Sequence, residues 1–97
     1  TPDGIVCGND VTAGHLLHTL DELGVEVPDD VMIAGIDDVK YAELLRVRLT
    51  TVRQPFAAIG DAAYHAMLDR IERPHSAARH ITLGCELVVR ESTRREK

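Results

Sequence analysis

The chain has 97 residues, 44% of them hydrophobic, and a net charge of −5. That length makes one small domain or a share of a larger one, because a chain of this size buries only about two-thirds of its unfolded surface. No apolar run approaches the roughly 18 residues of a membrane span, and an acidic balance without a basic stripe lacks the Lys/Arg neutralisation that drives nucleic-acid binding.

No charged and apolar leader precedes Thr1-Pro-Asp-Gly, which opens directly into a strand, so no secretory signal is expected. Gly4-Ile-Val-Cys-Gly8 is a short apolar run that ends at Asn9-Asp10, residue types that cap a following helix. From Val11 to Leu23, the residues Ala13, Leu16, Leu17, Leu20 and Leu23 recur at helical spacing, with Gly24 as the stop. After the turn 25–30, Val31-Met-Ile-Ala-Gly-Ile36 lacks alternation and reads as a strand buried on both faces, completing a βαβ unit. Tyr41, Leu44 and Leu45 suggest a short helical turn, and Leu49-Thr-Thr-Val52 a brief extended segment. Pro55 then opens a second helix with an apolar stripe of Phe56, Ile59, Ala63, Ala66, Met67 and Ile71, ending near Arg73-Pro74. Ile81, Leu83, Cys85, Leu87 and Val89 alternate with other residues as a last strand, and the tail 91–97 is charged and expected to fray. Cys7 and Cys85 both fall in these strand-like runs and are read as small buried hydrophobes.

The chemistry concentrates where strands end. A right-handed crossover brings the carboxyl ends of parallel strands to one edge of the sheet, where open α/β sheets bind ligands. Asn9-Asp10 and Asp37-Asp38 should therefore converge. Carboxylates accept from hydroxyls and an amide both donates and accepts, so a polar ligand is within reach. Equally, Asp10 can simply cap the helix and Asp38 can simply hold a turn. His15, His18 and Glu22 on one helix lack reinforcing ligands and read as a solvated face, with no metal site expected. Neither a nucleophile elbow nor a glycine-rich phosphate loop is present, so no enzyme activity and no cofactor is expected. A phosphoacceptor receiver domain also gathers acids at strand ends, but it needs a Lys on a later strand, and Lys40 lies too close to the pair.

The blocks PDGIVCGND, LDELGVEVPDDVMIAGIDD, LTTVRQP and ELVVRES, in series over residues 2 to 92, resemble the ligand-binding core of the lactose/galactose repressor family of bacterial transcription regulators. The resemblance implies an α/β fold like the type I periplasmic binding proteins, here the C-terminal portion of a two-lobed domain with a parallel sheet flanked by helices. Residues 1–48 would form the βαβ portion of one lobe, 49–73 the crossover and helix returning to the other, and 74–97 the final strand and tail. It implies that Asn9 and Asp37 contact a small-molecule effector, a sugar or sugar-like compound, with Asp10 and Asp38 in supporting or capping roles. It also implies a homodimer touching at Gly14, Leu17, His18 and Leu45, and operator DNA bound only through a helix-turn-helix outside this chain. No membrane partner and a cytoplasmic location go with that reading; a solute-binding protein of sugar transport shares the fold and is the alternative. Arg46 and Arg48 depart from the family pattern, which favours prolines or small apolar residues before LTT. A piece of such a domain leaves apolar faces uncovered, so self-association of the chain is also expected.

Overall fold

The computed structural model describes residues 2–94, except for the side chain of Tyr41. In chain order the elements are β1 (Gly4–Val6), α1 (Asp10–Glu22), β2 (Met32–Asp37), a 3-10 turn (Lys40–Glu43), β3 (Thr50–Arg53), α2 (Phe56–Glu72), β4 (Glu86–Val88) and a second 3-10 turn (Glu91–Thr93). The chain divides into two compact units, one formed by the residues up to Gln54 together with those from Glu86 on, the other by Pro55–Cys85.

The first unit holds one sheet in the order β1-β2-β3-β4. β1, β2 and β3 are parallel and β4 runs antiparallel to β3, pairing Thr51 with Val88 and Arg53 with Glu86. The sheet is thus mixed at one edge. Helix α1 packs on β2. Ala13 is buried, while Leu16, Leu17 and Leu20 lean on a core of Cys7, Val31, Ile33, Ala42 and Leu49. Burying Ile33 and Leu49 completely, both at 0% exposure, stabilises by about 1.5–3 kcal/mol each.

Helix α1 ends in a Schellman arrangement. Gly24, at φ +74, lets its own N–H donate to Asp21 O and that of Val25 reach back to Leu20 O at 2.9 Å. Glycine is the residue that adopts this left-handed conformation without a Cβ penalty, so the sequence signal and the structure agree.

Four expectations change. β2 is not buried on both faces: Val31, Ile33 and Gly35 are buried, but Met32, Ala34 and Ile36 on the other face are only half-buried. Helix α1 packs on this strand, and burial alternates along it, so only one face is sealed. The last strand is Glu86–Val88 rather than the whole run 81–89, because only those residues find a partner in β3. Cys85 falls outside it and is exposed, unlike buried Cys7. The start of the tail is anchored: Ser92 is completely buried, its hydroxyl donating to Ile33 O at 2.6 Å and accepting from Thr50 N at 2.8 Å. Arg95, Glu96 and Lys97, the rest of that tail, lie outside the described residues.

The second unit consists of α2 and the loop that follows. None of the residues of α2 is buried, and Phe56, Met67 and Ile71 are 58%, 64% and 68% exposed. Its apolar stripe has the spacing of a packed face without a cover.

Candidate functional site

Three chain segments meet at the carboxyl edge of the parallel strands: the β1–α1 junction, the turn after β2 and the end of β3. Cys7 N donates to Ala34 O at 2.8 Å, carrying the β1–β2 pairing to the start of the junction.

Asn9 is the N-cap of α1. Its backbone is extended and its Oδ1 accepts from Thr12 N at 2.8 Å, the pattern expected of an amide or carboxylate before a helix. The residue is exposed, and its Nδ2 makes no hydrogen bond among the described residues. The capping role left open for Asp10 therefore belongs to its neighbour.

Asp10 instead turns inward and is fully buried. Its Oδ1 accepts from Thr51 Oγ1 at 2.7 Å and its Oδ2 from Val39 N at 2.9 Å. One side chain thus joins α1 to β3 and to the turn that carries the acidic pair. A buried carboxylate needs such partners to offset lost hydration. Gly35 makes room for it, since a Cβ there would collide with Asp10 Oδ1 and stand 3.1 Å from Leu49 Cδ2.

Asp37 and Asp38 both have positive φ, +118° and +59°. Such backbone is uncommon outside glycine, though Asp tolerates it better than most residues, and the value at Asp37 lies beyond the ordinary left-handed well. Strain of this kind persists only where surrounding contacts impose it and gathers at functional positions. The contacts are visible. Gln54 Nε2 donates to Asp37 Oδ1 at 2.6 Å, and Asp38 N donates to Thr51 Oγ1 at 3.2 Å.

The two carboxylates have different company. Asp38 Oδ2 accepts from Arg53 Nε at 2.7 Å, and its Oδ1 lies 2.8 Å from Arg90 Nη1. Burial on its own would raise the Asp38 pKa, but the hydrogen bonds and charges of Arg90 and Arg53 outweigh it and hold the carboxyl below its ordinary value. Asp37 is half-buried and meets an amide rather than a cation, and its Oδ2 has no partner among the described residues. Asp38 is therefore committed to the protein, whereas Asp37 and the Nδ2 of Asn9 keep capacity for a ligand.

Gln54, Thr51, Arg53 and Arg90 were not singled out from the sequence, although they stand in the blocks LTTVRQP and ELVVRES. An acid at a strand end signals itself by position; its partners lie 13 to 52 residues away and only the folded register selects them.

Gly14, Leu17, His18 and Leu45 line one groove of about 470 Å³ in the first unit, together with Val25 and Arg46. On its rim His18 Nε2 lies 3.0 Å from Glu22 Oε1. Arg46, one of the departures from the family pattern, donates to both oxygens of Asp21 at 2.7 Å. Among the described residues no group of three or more His, Cys, Asp or Glu is arranged to hold a metal, and no helix is long and apolar enough to cross a membrane.

Residues 1–93 match the family of periplasmic binding protein-like domains, and the chain belongs to that family. Within it, the similarity runs to LacI/GalR-type regulators, of whose effector-binding domain the chain is a portion. The HTH-type transcriptional repressor PurR of Salmonella arizonae is 36% identical over 94% of this chain, which spans 27% of the length of that repressor. A LacI family transcriptional regulator from Enterococcus faecium with bound ribose superposes with a TM-score of 0.80 at 32% identity, covering 94% of this chain and 34% of its own. The transcriptional regulator CelR in complex with cellobiose gives a TM-score of 0.86 at 31% identity over 93% of this chain and 28% of its own.

Proposed function

We propose that the chain contributes one wall of an effector site to a bacterial transcriptional regulator. Asp37 and Asn9 would contact a sugar or another small polyhydroxy molecule, Asp37 Oδ2 accepting from ligand hydroxyls and Asn9 Nδ2 donating to them. The observation that carries this reading is Asp37 itself: a carboxylate in uncommon backbone geometry at the end of β2, fixed through one oxygen by Gln54 with the other unspent. The relatives that hold ribose and cellobiose support a sugar-like ligand, and the similarity to a named repressor favours regulation over solute transport.

In this reading residues 55–85 belong with a second lobe and the groove at Gly14, Leu17, His18 and Leu45 meets a second copy of the chain. Operator DNA is contacted by a part of the regulator outside these residues, and the protein works in the cytoplasm without chemistry of its own. The test is calorimetric titration of the full-length protein with ribose and with cellobiose. Asp37→Asn weakens binding by about 1.5–3 kcal/mol, the worth of a charge-assisted hydrogen bond. Unchanged affinity removes Asp37 from the site.

A further inference from the structure

Asp38 holds both segments through which the chain leaves and re-enters the first unit. Arg53 is the last residue of β3, one residue before the unit boundary after Gln54, and Glu86 is the first residue after the return. These two stand opposite each other in the β3–β4 register and approach to 3.4 Å between Arg53 Nη1 and Glu86 Oε2. Arg90 follows on the returning segment. It is only 10% exposed and, besides Asp38, it donates to Leu49 O at 3.0 Å and faces Glu43 Oε1 at 3.3 Å. One carboxylate, itself 10% exposed, is thus shared by a guanidinium from each connecting segment. It sits on the residue directly after Asp37.

We propose that Asp38 is a positioning residue that ties the outgoing and returning connections to the turn presenting Asp37, so that a ligand held by Asp37 controls how readily both connections open. The ligand part of this rests on the function proposed above; the tie between the connections does not. The physical basis is that Asp38 cannot shift without breaking its bonds to Arg53 and Arg90 together, while Asp37 cannot turn without moving its neighbour across the planar peptide unit that joins these two residues of positive φ. The Asp38–Arg90 pair, with both side chains 10% exposed, is the stronger of the two charge-assisted bonds, and the exposed Arg53 adds the outgoing segment to it.

Hydrogen exchange on the full-length protein tests the tie without ligand. Asp38→Asn keeps a residue that tolerates φ +59 but removes the charge; amides in residues 51–53 and 86–90 then exchange about tenfold faster together. Arg53→Gln, at an exposed position that spares the fold, speeds both segments in the same way, and the double variant is no faster than Asp38→Asn alone. Additive effects, or acceleration confined to the segment carrying the substitution, overturn the proposal. With ribose or cellobiose present, the wild-type protein gains protection at both segments and Asp38→Asn loses that gain along with about tenfold in affinity. Unaltered affinity and unaltered ligand-induced protection in Asp38→Asn overturn the coupling. Failure of the wild-type protein to bind any sugar counts against the proposed function, and the ligand-free exchange pattern still decides the tie.

Discussion

Asp10, in the first turn of α1, accepts a 2.7 Å hydrogen bond from Thr51 of β3, and both residues are completely buried. The pair connects the helix capped by Asn9 with the strand that ends at Arg53. Its second oxygen reaches Val39 N, so the acidic turn is fastened from the same point.

Removing this fastening leaves buried polar groups unpaired. Asp10→Ala should destabilise the first unit by about 1–3 kcal/mol and Thr51→Val by a similar amount, because Val fills the space but leaves Asp10 Oδ1 and Asp38 N without their partner. In a double-mutant cycle followed by urea unfolding the two losses should fall short of additive, since each removes the same bond. Strict additivity would show that the bond contributes nothing to stability.

The Asp38 carboxyl titrates below its ordinary value in the folded protein. A group depressed in this way stabilises above its unfolded pKa, and that contribution fades as pH falls through the folded one. Wild-type protein should therefore be more stable than Asp38→Asn at pH 7, and the gap should narrow once the pH drops below the ordinary carboxyl value of 3.8. Unfolding curves of both proteins between pH 7 and pH 2.5 check this. A gap independent of pH would mean that the arginine pairing does not depend on the charge of Asp38.

The two cysteines should separate cleanly in alkylation. Cys85 is exposed, whereas Cys7 is 7% exposed and burial raises its thiol pKa. Mass spectrometry after iodoacetamide treatment at pH 8 should find Cys85 modified first and Cys7 only under denaturing conditions. Equal labelling would contradict the burial of Cys7 at the junction between β1 and α1.

The 97 residues expressed alone should self-associate, because α2 exposes Phe56, Met67, Leu68 and Ile71 and contiguous apolar surface seeks cover. Light scattering over a range of concentrations should show growing mass, reduced by Met67→Lys with Ile71→Glu. A monomer at every concentration would sink this expectation.

Much of the fold was legible in the residues. Helical spacing from Ala13 to Leu20, the glycine stop at 24 and the apolar run 31–36 gave α1 and β2 nearly to the residue, since local periodicity and capping determine them. The run 81–89 misled because alternation reports a face only where a partner strand exists, and pairing in β4 stops at Glu86. At the site, position pointed to the pairs Asn9-Asp10 and Asp37-Asp38, and the choice of Asn9 and Asp37 within them came from the family resemblance. Which acid meets a cation and which an amide was beyond sequence reasoning, because Arg90 lies 52 residues from Asp38 and arrives through the antiparallel strand. The inward turn of Asp10 was hidden for the same reason: its partner hydroxyl lies 41 residues away.

The positive torsions at 37 and 38 restrict which amino acids the turn accepts, before any ligand is considered. β-branched and bulky side chains are shut out on steric grounds, leaving glycine, asparagine and aspartate as comfortable occupants. A short acidic pair satisfies the backbone and two unlike arrangements at once, one carboxylate oxygen left open at Asp37 and internal anchoring at Asp38. Under the proposed function, any drift in ligand preference at this turn is channelled into a three-letter alphabet, so new specificities would have to be written mostly on the surrounding residues.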